Sequence, residues 1–146
     1  MSNFKFIFEP VKKVKEALEK KTQKEIALLN LEINKNNEEI GNFEEEKRKN
    51  KLNDMITMTA GDLFSNRSYQ KQLDKKIEEK LKDIDDLNVK KEKKTTELVL
   101  RAKEKKIFTT LEEIHKDNFI QEENKIDNKI VNEIAVQKFA RKGNEE

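Results

Sequence analysis

Apolar residues recur along this chain at the three- and four-residue steps of a helix over two long stretches. The first passes through Val11, Val14, Leu18, Ile26, Leu29, Ile33, Ile40 and Phe43, and its later members keep a coiled-coil spacing if Asn36 counts as one layer. Pro10, the single proline, stands at its front, where a missing N–H costs nothing because first-turn amides have no partner in the helix. The second stretch starts near Tyr69 and Leu73 and continues through Ile84, Leu98, Phe108, Leu111, Ile114, Phe119, Ile126, Ile130 and Ile134. Turn and N-cap residues cluster only between the two stretches, at 57–62 and again at 65–68. The pattern predicts one helix over about 11–58, a loop over about 59–68 and a second helix over about 69–141.

A long helix with one narrow apolar stripe is stabilised by covering that stripe, and the simplest cover is the other helix folded back on it. The expected fold is therefore all-α: a long two-helix antiparallel coiled-coil hairpin forming a single elongated domain over 1–146. With the turn centred near residue 63, Leu18 falls opposite Phe108, Leu29 opposite Leu98, Phe43 opposite Ile84, Val14 opposite Leu111 and Leu52 opposite Leu73. The same register sets the polar residues Asn34, Asn36 and Asn37 against the polar stretch 88–96, as a layer that would fix the pairing. The arms are unequal: Phe8 reaches Phe119, and everything beyond Glu123 overhangs. There Ile126, Ile130, Ile134 and Phe139 still present apolar side chains. An uncovered stripe of this kind is expected to bind a partner, the alternatives being that the tip frays or pairs with a second copy of itself.

Composition narrows the chemistry. Charged residues make up 42% of the chain against 34% hydrophobic, with three glycines and one proline, which excludes a sheet with many turns. The expected helix content exceeds roughly 80%, since only the arm, loop and tail are left out. The 32 basic and 30 acidic side chains nearly cancel, to +2, so the one-signed field of a nucleic-acid binder is missing. Clusters such as Lys47-Arg48-Lys49, Lys90-Lys91-Glu92-Lys93-Lys94 and Glu44-Glu45-Glu46 read as solvated helix faces. The lack of cysteine fits a reducing compartment, and neither a leader-like start nor an apolar run of about 20 residues is found, so a cytoplasmic protein is expected. One histidine, His115, cannot build a carboxylate-bridged metal site from its Glu-x-x-His spacing, and it reads as a helix-surface residue. No Gly-rich phosphate loop or serine elbow occurs. An enzyme, a cofactor and a small-molecule ligand are not expected.

Two ends of the chain carry a resemblance. Phe4-Lys5-Phe6-Ile7-Phe8-Glu9-Pro10-Val11, followed by Lys15, resembles the start of the flagellar export proteins of the FliJ family, where an F-x-F-x-L-E-x-V-L segment opens a long helix. Arg101-Ala102-Lys103-Glu104-Lys105-Lys106, then Leu111, Phe119 and Asn132-Glu133-Ile134-Ala135, resemble the later part of that family. Lys12, Thr109 and Asn132 depart from its usual Leu, Glu and Asp.

The resemblance implies a non-enzymatic coiled-coil stalk of the flagellar type III protein export apparatus, similar to the γ stalk of rotary ATPases. Implied partners are the hexameric flagellar export ATPase, whose ring assembly it would promote, the cytoplasmic domain of the membrane export gate, and export chaperones. The implied location is the cytoplasmic face of the inner membrane at the flagellar base. On this reading Phe4, Phe6, Phe8, Ile126, Ile130, Glu133 and Ile134 would engage the ATPase, and Leu52, Met55, Phe64 and Tyr69 would face the gate. The phenylalanines could equally form a hydrophobic plug at the open end of the hairpin, and the turn residues could simply pack the loop. The equivalent stalk of a virulence-type injectisome and a self-associating structural coiled coil are the alternatives.

Overall fold

The computed structural model describes residues 2–56 and 59–144. It contains two helices, α1 (Glu9–Asp54) and α2 (Ala60–Asn144), which pack against each other. Together they hold 93% of the described residues, and among these no strand occurs. Pro10 sits in the first turn of α1, whose opening amides are taken up by the arm: Glu9 N–H donates to Phe6 O at 3.2 Å and Lys12 N–H to Phe8 O at 2.9 Å. At its other end α1 tightens, with Met55 and Ile56 donating to Leu52 O and Asn53 O across three residues.

The connection is shorter than the spacing predicts. α2 starts at Ala60 rather than near Tyr69, so most of the expected 59–68 loop is helix. Thr57 and Met58, which open the first turn-residue cluster, lie outside the described residues. Thr59 caps α2: its Oγ1 accepts from Asp62 N–H at 3.3 Å, and Leu63 N–H donates to Thr59 O at 3.1 Å. Once that cap has started the helix, Ser65, Asn66 and Ser68 are carried within it, and the Asn66 carbonyl accepts from the Asn50 side chain at 3.1 Å.

The chain divides into two compact units, Met1–Leu18 with Arg101–Glu146, and Glu19–Leu100. In each, a segment of α1 runs antiparallel to a segment of α2. In the unit Glu19–Leu100, Glu25 pairs with Lys94 at 2.7 Å, Glu39 with Lys80 at 2.7 Å, and Lys47 with Asp74. The Tyr69 hydroxyl donates to Glu46 Oε2 at 2.8 Å, and Lys76 Nζ lies 5.6 Å from the centroid of the Phe43 ring. Glu44, Glu45 and Glu46 are all exposed, so the run forms the solvated face expected of it, and Glu46 accepts the tyrosine hydroxyl from there. Glu45 lies beside Arg48 and Lys49 of its own helix.

This register differs from the expected one by a heptad. Lys94 meets Glu25 rather than Glu32, and Lys80 meets Glu39 rather than Glu46. Phe43 lies by Lys76 instead of Ile84, and Phe108 by Phe8 instead of Leu18. Leu73 is the one fully buried large side chain among the described residues, while Leu52, its expected partner, is 57% exposed. Val14, expected to face Leu111, is 56% exposed, while Lys12 meets Glu112 close to the expected register. The polar layer dissolves too: Asn36 is half-buried beside Lys80, Asp83 and Leu87, and Asn34 and Asn37 are exposed.

The physical reason is degeneracy. Glu25, Glu32, Glu39 and Glu46 stand seven residues apart, so slipping α1 by one heptad exchanges glutamate for glutamate and keeps every side chain on its face. The earlier turn selects the lower register. Among the described residues the buried side chains are Phe6, Thr22, Ile40, Leu73 and Ile84, as a seam between two helices allows and a globular core would not.

Candidate partner-binding surfaces

Residues 2–6 form no regular secondary structure and lead into a turn at Ile7 and Phe8; Phe4, Phe6 and Phe8 all meet rings of α2, while Lys5 and Ile7 are exposed. The arm lies along α2. Ser2 Oγ donates to Glu123 Oε1 at 2.7 Å, and the Phe4 ring sits 5.6 Å from that of Phe119. Phe6 lies 5.7 Å from His115 and 5.8 Å from Phe8, and Phe8 lies 6.2 Å from His115 and 6.3 Å from Phe108. Edge-on and tilted contacts at these separations place ring edges against ring faces, the arrangement that aromatic quadrupoles favour. His115 is thus half-buried in an aromatic cluster, not on the helix surface as its spacing suggests. Its neighbour Glu112 is engaged by Lys12, and Glu104 by Lys15 at 3.1 Å and Arg101 at 3.4 Å.

These ion pairs bias the protonation of their members. Hydrogen bonding to Glu112 raises the Lys12 pKa, and hydrogen bonding to Lys15 lowers that of Glu104. In the other unit, hydrogen bonding to Lys94 lowers the Glu25 pKa, and hydrogen bonding to Lys80 lowers that of Glu39.

The expected ATPase-facing residues therefore fall into two sets. Phe6 is buried and Phe4 half-buried within the chain's own cluster, whereas Phe8 keeps 39% of its surface exposed. Beyond Glu123 the environment changes. Every described residue from 124 to 144 is exposed although the helix continues, and Ile126, Ile130 and Ile134 each keep about half their surface in water. Glu133 is exposed on the same segment. This stretch of 21 residues is about 30 Å of helix. Phe139, at 80% exposure, continues the expected stripe, and Val131 and Val136 add exposed apolar area that the three- and four-residue steps alone did not single out.

The four residues expected to face the gate lie around the turn between α1 and α2, and all are exposed: Leu52, Met55, Phe64 and Tyr69. Tyr69 is tied by its hydroxyl to Glu46. Ile56, at 78% exposure, joins Met55 and Phe64 as an exposed apolar residue at this turn. It escaped the sequence reading because it lies where the heptad pattern breaks, and the break itself was the signal available.

Paired helices with a thin seam, an ion-paired flank and exposed apolar ends define a coiled-coil-like helical protein whose notable surfaces suit other macromolecules. Among the described residues no helix is long and apolar enough to cross a membrane. The chain belongs to the flagellar FliJ protein family, whose model matches residues 4–144, and it is a protein of flagellar export. No curated protein and no solved structure gives a match.

Proposed function

We propose that this chain is the non-enzymatic stalk of the flagellar export apparatus, joining the export ATPase, the cytoplasmic domain of the membrane export gate and export chaperones at the cytoplasmic face of the inner membrane. The observation that carries this reading is the helical segment 124–144, continuous with α2 yet exposed along its whole described length. A helix that buries no side chain there gains nothing from its apolar residues until a partner covers them. Ile126, Ile130 and Ile134 supply the apolar contacts and Glu133 a charged one, with the exposed part of Phe8 beside the aromatic cluster adding to them. Phe4 and Phe6 act by fixing the arm on α2. Leu52, Met55, Phe64 and Tyr69 at the turn serve the gate domain.

Calorimetric titration of the full chain with the purified export ATPase tests this. Ile130→Asp is expected to weaken binding by about tenfold or more, at unchanged helicity, because that side chain has no cover within the chain. Phe64→Asp should leave ATPase binding intact and weaken binding of the gate domain. Unaltered ATPase affinity in Ile130→Asp, or loss of helicity in that variant, would count against the stalk reading.

A further inference from the structure

A second apolar surface lies within the unit Glu19–Leu100, on residues to which the proposed function assigns no partner. Leu28 and Leu31 are each 64% exposed although they sit in the middle of α1, and Leu29 between them is half-buried. The three leucines form the floor of a groove of about 720 Å³ that runs between α1 and α2. Its walls are cationic: Lys35 comes from α1, and Lys90 and Lys93 come from α2, all three exposed. Lysine stems add methylene area to the groove while their ammonium groups reach its rim. Lys94, deeper in the wall, is already engaged by Glu25 and Glu97, so it braces the groove rather than offering charge to a ligand. Glu32 is the one exposed carboxylate in the lining, against the three exposed ammonium groups.

We infer that this groove is a docking site for an amphipathic helix of a partner protein, one that carries an apolar stripe flanked by Asp and Glu. The spacing supports a helical occupant. Leu28 and Leu31 stand one helical turn apart on α1, and Lys90 and Lys93 one turn apart on α2. A third helix laid between them meets leucines on its inner face and lysines along its edge, as a helix bound in an apolar groove does. The charge selects an acidic flank over a basic one, since a basic flank would be repelled by Lys35, Lys90 and Lys93. This site stands independently of the stalk reading, because it uses neither the segment 124–144 nor the turn.

The test uses the full chain and two stapled helical peptides with the same leucine stripe, one flanked by glutamates and one by lysines, titrated by fluorescence anisotropy. The glutamate peptide is expected to bind saturably and at least about tenfold more tightly than the lysine peptide. Leu28→Gln with Leu31→Gln should abolish that binding without loss of helicity, because both side chains are exposed. Lys90→Glu with Lys93→Glu should reverse the preference, so that the lysine peptide becomes the tighter ligand. Equal binding of the two peptides, or binding that survives the leucine changes, would overturn the inference. So would a concentration-dependent dimer in sedimentation that the leucine changes abolish, since the occupant would then be a second copy. Binding to phosphatidylserine vesicles without binding to either peptide would overturn it in favour of a lipid surface.

Discussion

The stretch of α2 from 101 to 123 and the stretch from 124 to 144 have similar sequences and opposite situations. Both carry apolar residues at three- and four-residue steps among lysines, glutamates and asparagines. In the first, Phe108, His115 and Phe119 are half-buried beneath Phe8, Phe6 and Phe4, and Glu104 and Glu112 are bound by lysines of α1. In the second, each isoleucine stands about half in water. An apolar stripe on a helix therefore states only that something can cover it. Among the described residues the cover that the arm gives α2 reaches as far as Glu123, which accepts from Ser2. Beyond it the helix persists because extending a helix already nucleated requires far less ordering than starting one.

The contrast can be sharpened by removing side chains of similar size from covered and uncovered positions. Leu73→Ala, at the most completely buried site described, should cost roughly 2–5 kcal/mol, measured by chemical denaturation. Phe6→Ala should cost about 3 kcal/mol, through lost packing on His115 and Phe8, and should raise the exchange rates of amides near His115. Thr59→Ala removes the oxygen that satisfies Asp62 N–H and should cost about 1 kcal/mol. Ile130→Ala, by contrast, should change stability by less than about 0.5 kcal/mol. A loss comparable to that of Leu73→Ala would show that the exposed segment is covered in solution.

Acid should have the smallest effect. Glu25, Glu39 and Glu104 have pKa values lowered in the folded chain by hydrogen bonds from Lys94, Lys80 and Lys15. A carboxylate with a depressed folded pKa contributes stability above its unfolded value, and that contribution disappears as pH falls through the folded one. The denaturation midpoint should therefore fall on acidification below the usual glutamate range. Because these pairs are solvent-screened, Glu39→Gln should remove only a small part of that dependence.

Much of this architecture was legible in the sequence. Two helices, their antiparallel pairing and the overhang beyond Glu123 all follow from the apolar steps, the lone Pro10 and the shortage of turn residues. The register did not follow, because the Glu25, Glu32, Glu39 and Glu46 ladder looks the same after a seven-residue slip. The turn was misplaced for a related reason. Thr59 and Ser65 both open plausible caps, and only a competition between hydrogen bonds, which Thr59 wins by holding Asp62, separates them. Of the surfaces, Ile130 and its neighbours were visible as a stripe without a counterpart. The groove at Leu28 and Leu31 was not, since it exists only once α2 brings Lys90 and Lys93 alongside. His115 escaped for the same reason: its ring partners are more than a hundred residues away in the chain.

Hydrogen exchange along α2, followed by mass spectrometry with and without the export ATPase, tests the central claim most directly. The expected result is fast exchange of amides at 124–144 in the isolated chain, slower exchange at 101–123, and strong protection of 124–144 when the ATPase is added. Protection of 124–144 that rises with the concentration of the isolated chain, or exchange there that the ATPase leaves unchanged, would contradict it.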